Sequence, residues 1–129
     1  MEKGTPAKIP AEGLLRIWRA LKYSLTGLQN CYRNEAAFRQ EIILFGLLLP
    51  VLLLLPISLL LKLILLIVNT LVLIAELLNS AIEAVVNKMS PEFNELAGQA
   101  KDMASAAVFI ALSLAAVSWA VALYQAFGA

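Results

Sequence analysis

Ile42 to Leu61 runs for twenty residues without a charged side chain. No other feature of the chain restricts its fold so strongly. A stretch of this length and polarity belongs inside a large protein or inside the hydrocarbon of a bilayer. With 129 residues the chain has room for one domain. Composition decides between the two homes. Hydrophobic residues make up 61% and charged residues 15% of the chain, against about 45–50% and about 25% in soluble domains. Lipid is therefore the solvent this sequence suits.

About 20 helical residues cross the ~30 Å hydrocarbon core. That length predicts a first span over about 36–55, ended by the tight turn Pro56-Ile57-Ser58. A second span over about 58–87 opens with Lys62, which can snorkel to the outer interface. A third, over about 98–127, contains Ala107, Ala111 and Ala115 four apart, a spacing that lets helices approach closely in lipid. Ahead of the spans, Leu14, Trp18, Leu21, Leu25 and Leu28 recur on one helical stripe, with Arg16, Arg19 and Lys22 off it. This pattern predicts a surface helix over about 13–32 that sets its cations among lipid phosphates. Residues 1–12, with Gly4, Pro6 and Pro10, read as a flexible tail, and 13–129 as a single membrane domain. The expected fold is an all-α membrane protein with an N-terminal amphipathic surface helix and three transmembrane helices. Three helices with a narrow polar face imply oligomerisation.

Charge distribution gives the orientation. Seven of the ten Lys and Arg precede the first apolar run, Lys62 alone lies at the 56–62 turn, and Lys88 and Lys101 flank the loop over 87–101. The positive-inside rule places the N-terminus and that loop in the cytoplasm. The first apolar run starts near residue 42, so no cleaved leader is expected. Net charge of +1 gives no argument for a nucleic-acid partner. One cysteine, Cys31, excludes an intrachain disulfide and a thiolate metal cage, and reads as a small half-buried residue. The absence of histidine removes zinc hydrolases and Ser-His triads.

Chemistry concentrates in Glu76-Leu-Leu-Asn79-Ser80-Ala-Ile-Glu83-Ala-Val-Val-Asn87. At about 100° per residue, Glu76, Asn79, Glu83 and Asn87 fall within an arc of about 80°. Lipid cannot solvate such a ridge, and an ionisable group at membrane depth marks a functional site; the alternative is a polar face that joins helices. Asn69, one heptad earlier on this face, reads as interhelical glue. Glu35 and Glu41 enter the first span at about the depth of Glu83 and can close on the ridge, or serve as ordinary interfacial charge. Magnesium takes one or two carboxylates plus phosphate oxygens, a demand Glu35 and Glu83 can meet. Lys101 suits a point charge on phosphate, or a positive-inside marker. No Walker, G-x-G-x-x-G, H-R-D or D-F-G motif is present, so a phosphotransferase built from this chain cradles its nucleotide differently.

The stretches Asn34-Glu-Ala-Ala-Phe-Arg-Gln-Glu41, Glu76-Leu-Leu-Asn-Ser-Ala-Ile-Glu-Ala-Val-Val and Lys101-Asp-Met-Ala-Ser-Ala-Ala-Val closely resemble the prokaryotic integral membrane diacylglycerol kinases. Arg16 and Tyr23-Ser24 match as well, and the resemblance covers about 13–128. It implies a homotrimer with composite active sites between subunits, in the bacterial inner membrane. It also implies transfer of the γ-phosphoryl group of ATP, with Mg2+, to diacylglycerol, giving phosphatidic acid. By matching position, Glu76 would be the general base, and Glu35 and Glu83 would hold the metal and ATP. Arg16, Tyr23, Glu92, Phe93, Asn94, Lys101 and Asp102 would contact nucleotide. Arg16, Glu41, Glu76, Asn79 and Ser105 would meet the lipid substrate. Such chemistry needs in-line positioning, charge neutralisation and a proton acceptor. Three positions depart from the family pattern: Asn87 for a common Asp, Phe93-Asn94 for a common Tyr-His, and Ala104 for a common Gly. The alternatives are an undecaprenol kinase of the same fold, a small proton-coupled transporter, which predicts four spans and a mid-membrane glutamate, and a non-catalytic assembly subunit.

Overall fold

A computed structural model describes residues 9–89 and 95–128. These residues form four helices, α1 (Ile9–Asn34), α2 (Ala36–Leu54), α3 (Leu59–Met89) and α4 (Glu95–Phe127). The last three are long and apolar enough to cross a membrane. α1 begins at Ile9 rather than near Gly13, and so takes in Pro10. A proline is accepted in a first turn, where its missing N–H would have had no partner and its φ is already helical. α1 leaves Leu14, Trp18, Leu21, Leu25 and Leu28 exposed, the apolar stripe of a helix made to rest on lipid.

Each connection has its own local cause. Glu35 alone breaks the helix between α1 and α2, with φ −118° and ψ 110°. Arg39, in the first turn of α2, reaches back and donates to the carbonyls of Tyr32 (2.9 Å) and Arg33 (3.1 Å). A guanidinium there satisfies terminal carbonyls and opposes the negative end of the α1 dipole. At the other end of α2, Lys62 Nζ donates to the Leu53 carbonyl at 2.7 Å. Ser58 Oγ accepts from the Leu61 N–H at 3.2 Å as an N-cap for α3. Gln125 Oε1 accepts the Ser58 N–H at 3.2 Å and ties the end of α4 to this turn.

α3 is the spine. It packs most extensively on α4, then on α2, and also meets α1, whereas the α2 and α4 backbones keep apart. One core joins Val68, Val72 and Ala75 of α3 to Ala111 and Ala115 of α4. A second joins Leu52, Leu61, Leu65 and Ala122, with Trp119 against it. The buried alanines of α4 are Ala104, Ala111, Ala115 and Ala122, so Ala107 of the expected small-residue row is not in the seam and is exposed.

Depth along α3 places the polar ridge. From Leu59 to Glu76 the helix rises about 26 Å, and to Glu83 about 36 Å. If the ~30 Å core begins at Leu59, Glu76 falls just inside its far edge and Glu83 beyond it.

Candidate active site

Glu76 is buried, 7% exposed, and lies within electrostatic reach of the like charges of Glu41, Glu83 and Glu35. One helix face accounts for Glu76 and Glu83, and the break at Glu35 brings the other two. Glu35 caps α2 by backbone alone, with no side-chain capping bond, and this leaves its carboxylate available. Asn79 Nδ2 donates to Glu83 Oε1 at 3.4 Å. Its Oδ1 is buried without a partner among the described residues, an acceptor that a hydroxyl donor would satisfy.

Lys101, near the start of α4, donates from Nζ to Asn87 Oδ1 at 3.3 Å. The pair spans α3 and α4 at the end of the bundle that carries Glu83, where a cation is open to solvent. Asp102 and Ser105 are exposed on α4. Asn79 also lines an almost wholly apolar groove of about 340 Å³ between α3 and α4, with Leu78, Ile82, Met103 and Ala107; Ser105 lies outside it. Arg16 and Tyr23 line a recess formed by α1 alone, with Glu12 and Arg19. Arg16 stands about 27 Å along α1 from its last residue, so one chain does not bring it to Glu76. Glu92, Phe93 and Asn94 lie outside the described residues.

Sequence reasoning missed a recess of about 380 Å³ between α1 and α3, where Asn30, Asn34, Glu35 and Ser80 surround Cys31. The signal was Ser80, inside the ridge motif but turned toward α1. Burial pushes the Cys31 thiol above its ordinary range, helped by the charges of Glu35 and Glu76, and a hydrogen bond with Ser80 opposes the shift.

Among the described residues no three carboxylate, thiol or imidazole groups converge as a metal cage. Zinc-like coordination is not what this donor set offers. Magnesium asks for only one or two carboxylates besides phosphate oxygens, and Glu35 and Glu83, each within electrostatic reach of Glu76, are carboxylates that could supply them.

Four helices, three of them long enough to span a bilayer, with a polar ridge on α3 headed by the buried carboxylate of Glu76, define an all-α membrane protein. The sequence profile described as "Prokaryotic diacylglycerol kinase" matches residues 22–123. A diacylglycerol kinase of Escherichia coli is 44% identical over 118 residues, covering 90% of this chain and 95% of that protein. One of Pseudomonas aeruginosa is 49% identical over 108 residues, 84% of this chain and 88% of its own length. One of Helicobacter pylori is 39% identical over 114 residues, 87% and 89% of the two chains. The chain belongs to the prokaryotic diacylglycerol kinase family and is a lipid kinase.

Proposed function

We propose that this chain transfers the γ-phosphoryl group of ATP, with Mg2+, to the free hydroxyl of diacylglycerol, giving phosphatidic acid at the cytoplasmic face of the bacterial inner membrane. The observation that carries the reading is the buried carboxylate of Glu76 at the hydrocarbon edge, at the depth where a lipid alcohol meets a water-borne nucleotide. Glu76 accepts the hydroxyl proton as the lipid oxygen forms its bond to the γ-phosphorus. The bond from that phosphorus to the bridging oxygen breaks, and ADP leaves with the electron pair. The free Oδ1 of Asn79 accepts a hydrogen bond from the lipid headgroup. Glu35 and Glu83 would hold Mg2+, which would neutralise charge on the phosphates. Lys101 and Asp102 meet the nucleotide from α4, with Glu41 and Ser105 on the lipid side.

Arg16 and Tyr23 complete the nucleotide site from a neighbouring copy. The roughly 27 Å between Arg16 and the end of α1 supports this, because a single chain leaves these residues apart. An exposed row on α3, Ile67, Leu71, Ile74, Leu78, Ile82 and Val85, recurs at steps of three or four like the seam of a helical oligomer. It suits a homotrimer built on α3.

The test is transfer of labelled γ-phosphate from MgATP to diacylglycerol, and in parallel to undecaprenol, by purified protein in mixed micelles. Label in phosphatidic acid supports the reading. Label only in the polyprenyl product keeps the fold and changes the substrate. Correctly assembled protein that labels neither lipid would refute it. Protease access to an N-terminal tag in intact spheroplasts tests the orientation, with protection expected.

A further inference from the structure

Asn69 does more than join two helices. It is 8% exposed on α3, about 15 Å from the start of that helix and so near the bilayer midplane. Trp119 Nε1 donates to its Oδ1 at 3.0 Å. The indole N–H is a donor only, so this bond fixes which way the amide points. Nδ2 is then left buried with no partner among the described residues. A buried donor without an acceptor is unfavourable.

The Asn69 side chain lines a cavity of about 180 Å³ between α2 and α4, above α3, with Nδ2 itself covered by neighbouring atoms. Glu41 lines the cavity at one end and Asn69 and Trp119 at the other, with Leu44, Phe45 and Val72 between. The cluster of Leu52, Leu61, Leu65 and Ala122 closes it below Trp119. Val72 and Glu76 share the Asn69 face of α3, with Glu76 about 10 Å further along the axis. Glu41, at the upper end, is within electrostatic reach of Glu76. An apolar slot thus descends from the level of the proposed base to Asn69, the residue that carries the unfilled hydrogen-bond donor.

We infer that Asn69 determines specificity by donating its free amide N–H to an ester carbonyl of the glycerolipid, so that the enzyme selects ester-linked over ether-linked substrates. This rests on the reading that Glu76 receives the lipid hydroxyl. Six bonds separate that hydroxyl oxygen from the carbonyl oxygen of the more distant ester of a 1,2-diacylglycerol, about 7 Å when extended. With a hydrogen bond of about 3 Å at each end, the lipid reaches from the Glu76 carboxylate to Nδ2. An ether lipid of the same length fills the slot and leaves the donor unpaired.

The experiment compares kcat/KM for dioleoylglycerol and for the dialkyl ether analogue of equal chain length, using the parent protein and Asn69→Leu in mixed micelles. The parent is expected to favour the ester roughly tenfold, mainly through KM, and Asn69→Leu to bring the two lipids within about twofold by losing activity on the ester. Infrared spectra of parent protein with carbonyl-labelled dioleoylglycerol provide a readout that needs no variant: the ester stretch moves to lower frequency on binding. A parent that treats both lipids alike, or an unshifted carbonyl, overturns the inference and leaves the kinase reading intact. A parent that phosphorylates neither lipid overturns both.

Discussion

Replacing Trp119 with Phe isolates the hydrogen bond that holds α3 to α4 in mid-bilayer. The indole N–H meets Asn69 Oδ1 at 3.0 Å, and the other amide atom of Asn69 has no partner among the described residues. Trp119→Phe leaves a whole carboxamide unsatisfied at 8% exposure. In a protein interior an orphaned amide costs about 1–3 kcal/mol. In membranes, interhelical hydrogen bonds measure about 0.6 kcal/mol on average and at most about 1.7, since the separated helices also find partners. A destabilisation of about 1–2 kcal/mol is therefore expected. Asn69→Leu in the Trp119→Phe background removes the orphan with little change in volume, and should restore stability to the parent level or above it. The assay is SDS unfolding in mixed micelles, followed by near-ultraviolet absorbance of the remaining aromatic residues. If Asn69→Leu has the same effect in both backgrounds, the two side chains are not coupled and the argument fails.

Three other outcomes are expected. Glu76→Gln lowers kcat by about 10²–10⁴, the range of a lost general base, with the KM for ATP little changed; measured phosphoryl transfer near the parent rate would remove Glu76 from that role. Asn87→Asp sets a carboxylate against the Lys101 ammonium in place of the 3.3 Å hydrogen bond. An exposed pair is worth up to about 1 kcal/mol, so the KM for ATP rises by no more than about fivefold and the rise fades in high salt; a lower KM would contradict this. Cys31, with its thiol pushed up by burial, forms less thiolate at a given pH than a free thiol. Its maleimide labelling should keep accelerating above about pH 8.5, where an ordinary thiol begins to level off; levelling there would speak against the shift.

The spans were legible because hydrocarbon imposes a local rule, one uncharged run per crossing, that needs no partner to be recognised. The ridge was legible for a similar reason, since helix periodicity alone puts Glu76, Asn79 and Glu83 on one face. Long-range matches were not. Ala100, Ala104, Ala107, Ala111, Ala115 and Ala122 offer several small-residue rows along α4, and only the positions of Val68, Val72 and Ala75 on α3 select the one that is buried. Asn69 was readable as glue, but its partner Trp119 lies fifty residues away. Lys101 could be singled out for phosphate, whereas its bond to Asn87 depends on how the chain returns between α3 and α4. Pro10 looked like a helix breaker because position within the first turn, not residue type, decides its effect.

The central place of α3 has a consequence for biosynthesis. Chains emerge from the N-terminus, so α2 enters the bilayer first and has only lipid beside it until α3 arrives. α3 brings Asn69 and Glu76 with it, yet its largest contact surface belongs to α4, the last helix to be made. During that interval Asn69 lacks Trp119, the partner that α4 later supplies. The late arrival of α4 therefore makes completion of translation the step that closes the interior, and a ribosome that stalls after α3 would leave a half-built protein with the Asn69 amide unpartnered in hydrocarbon.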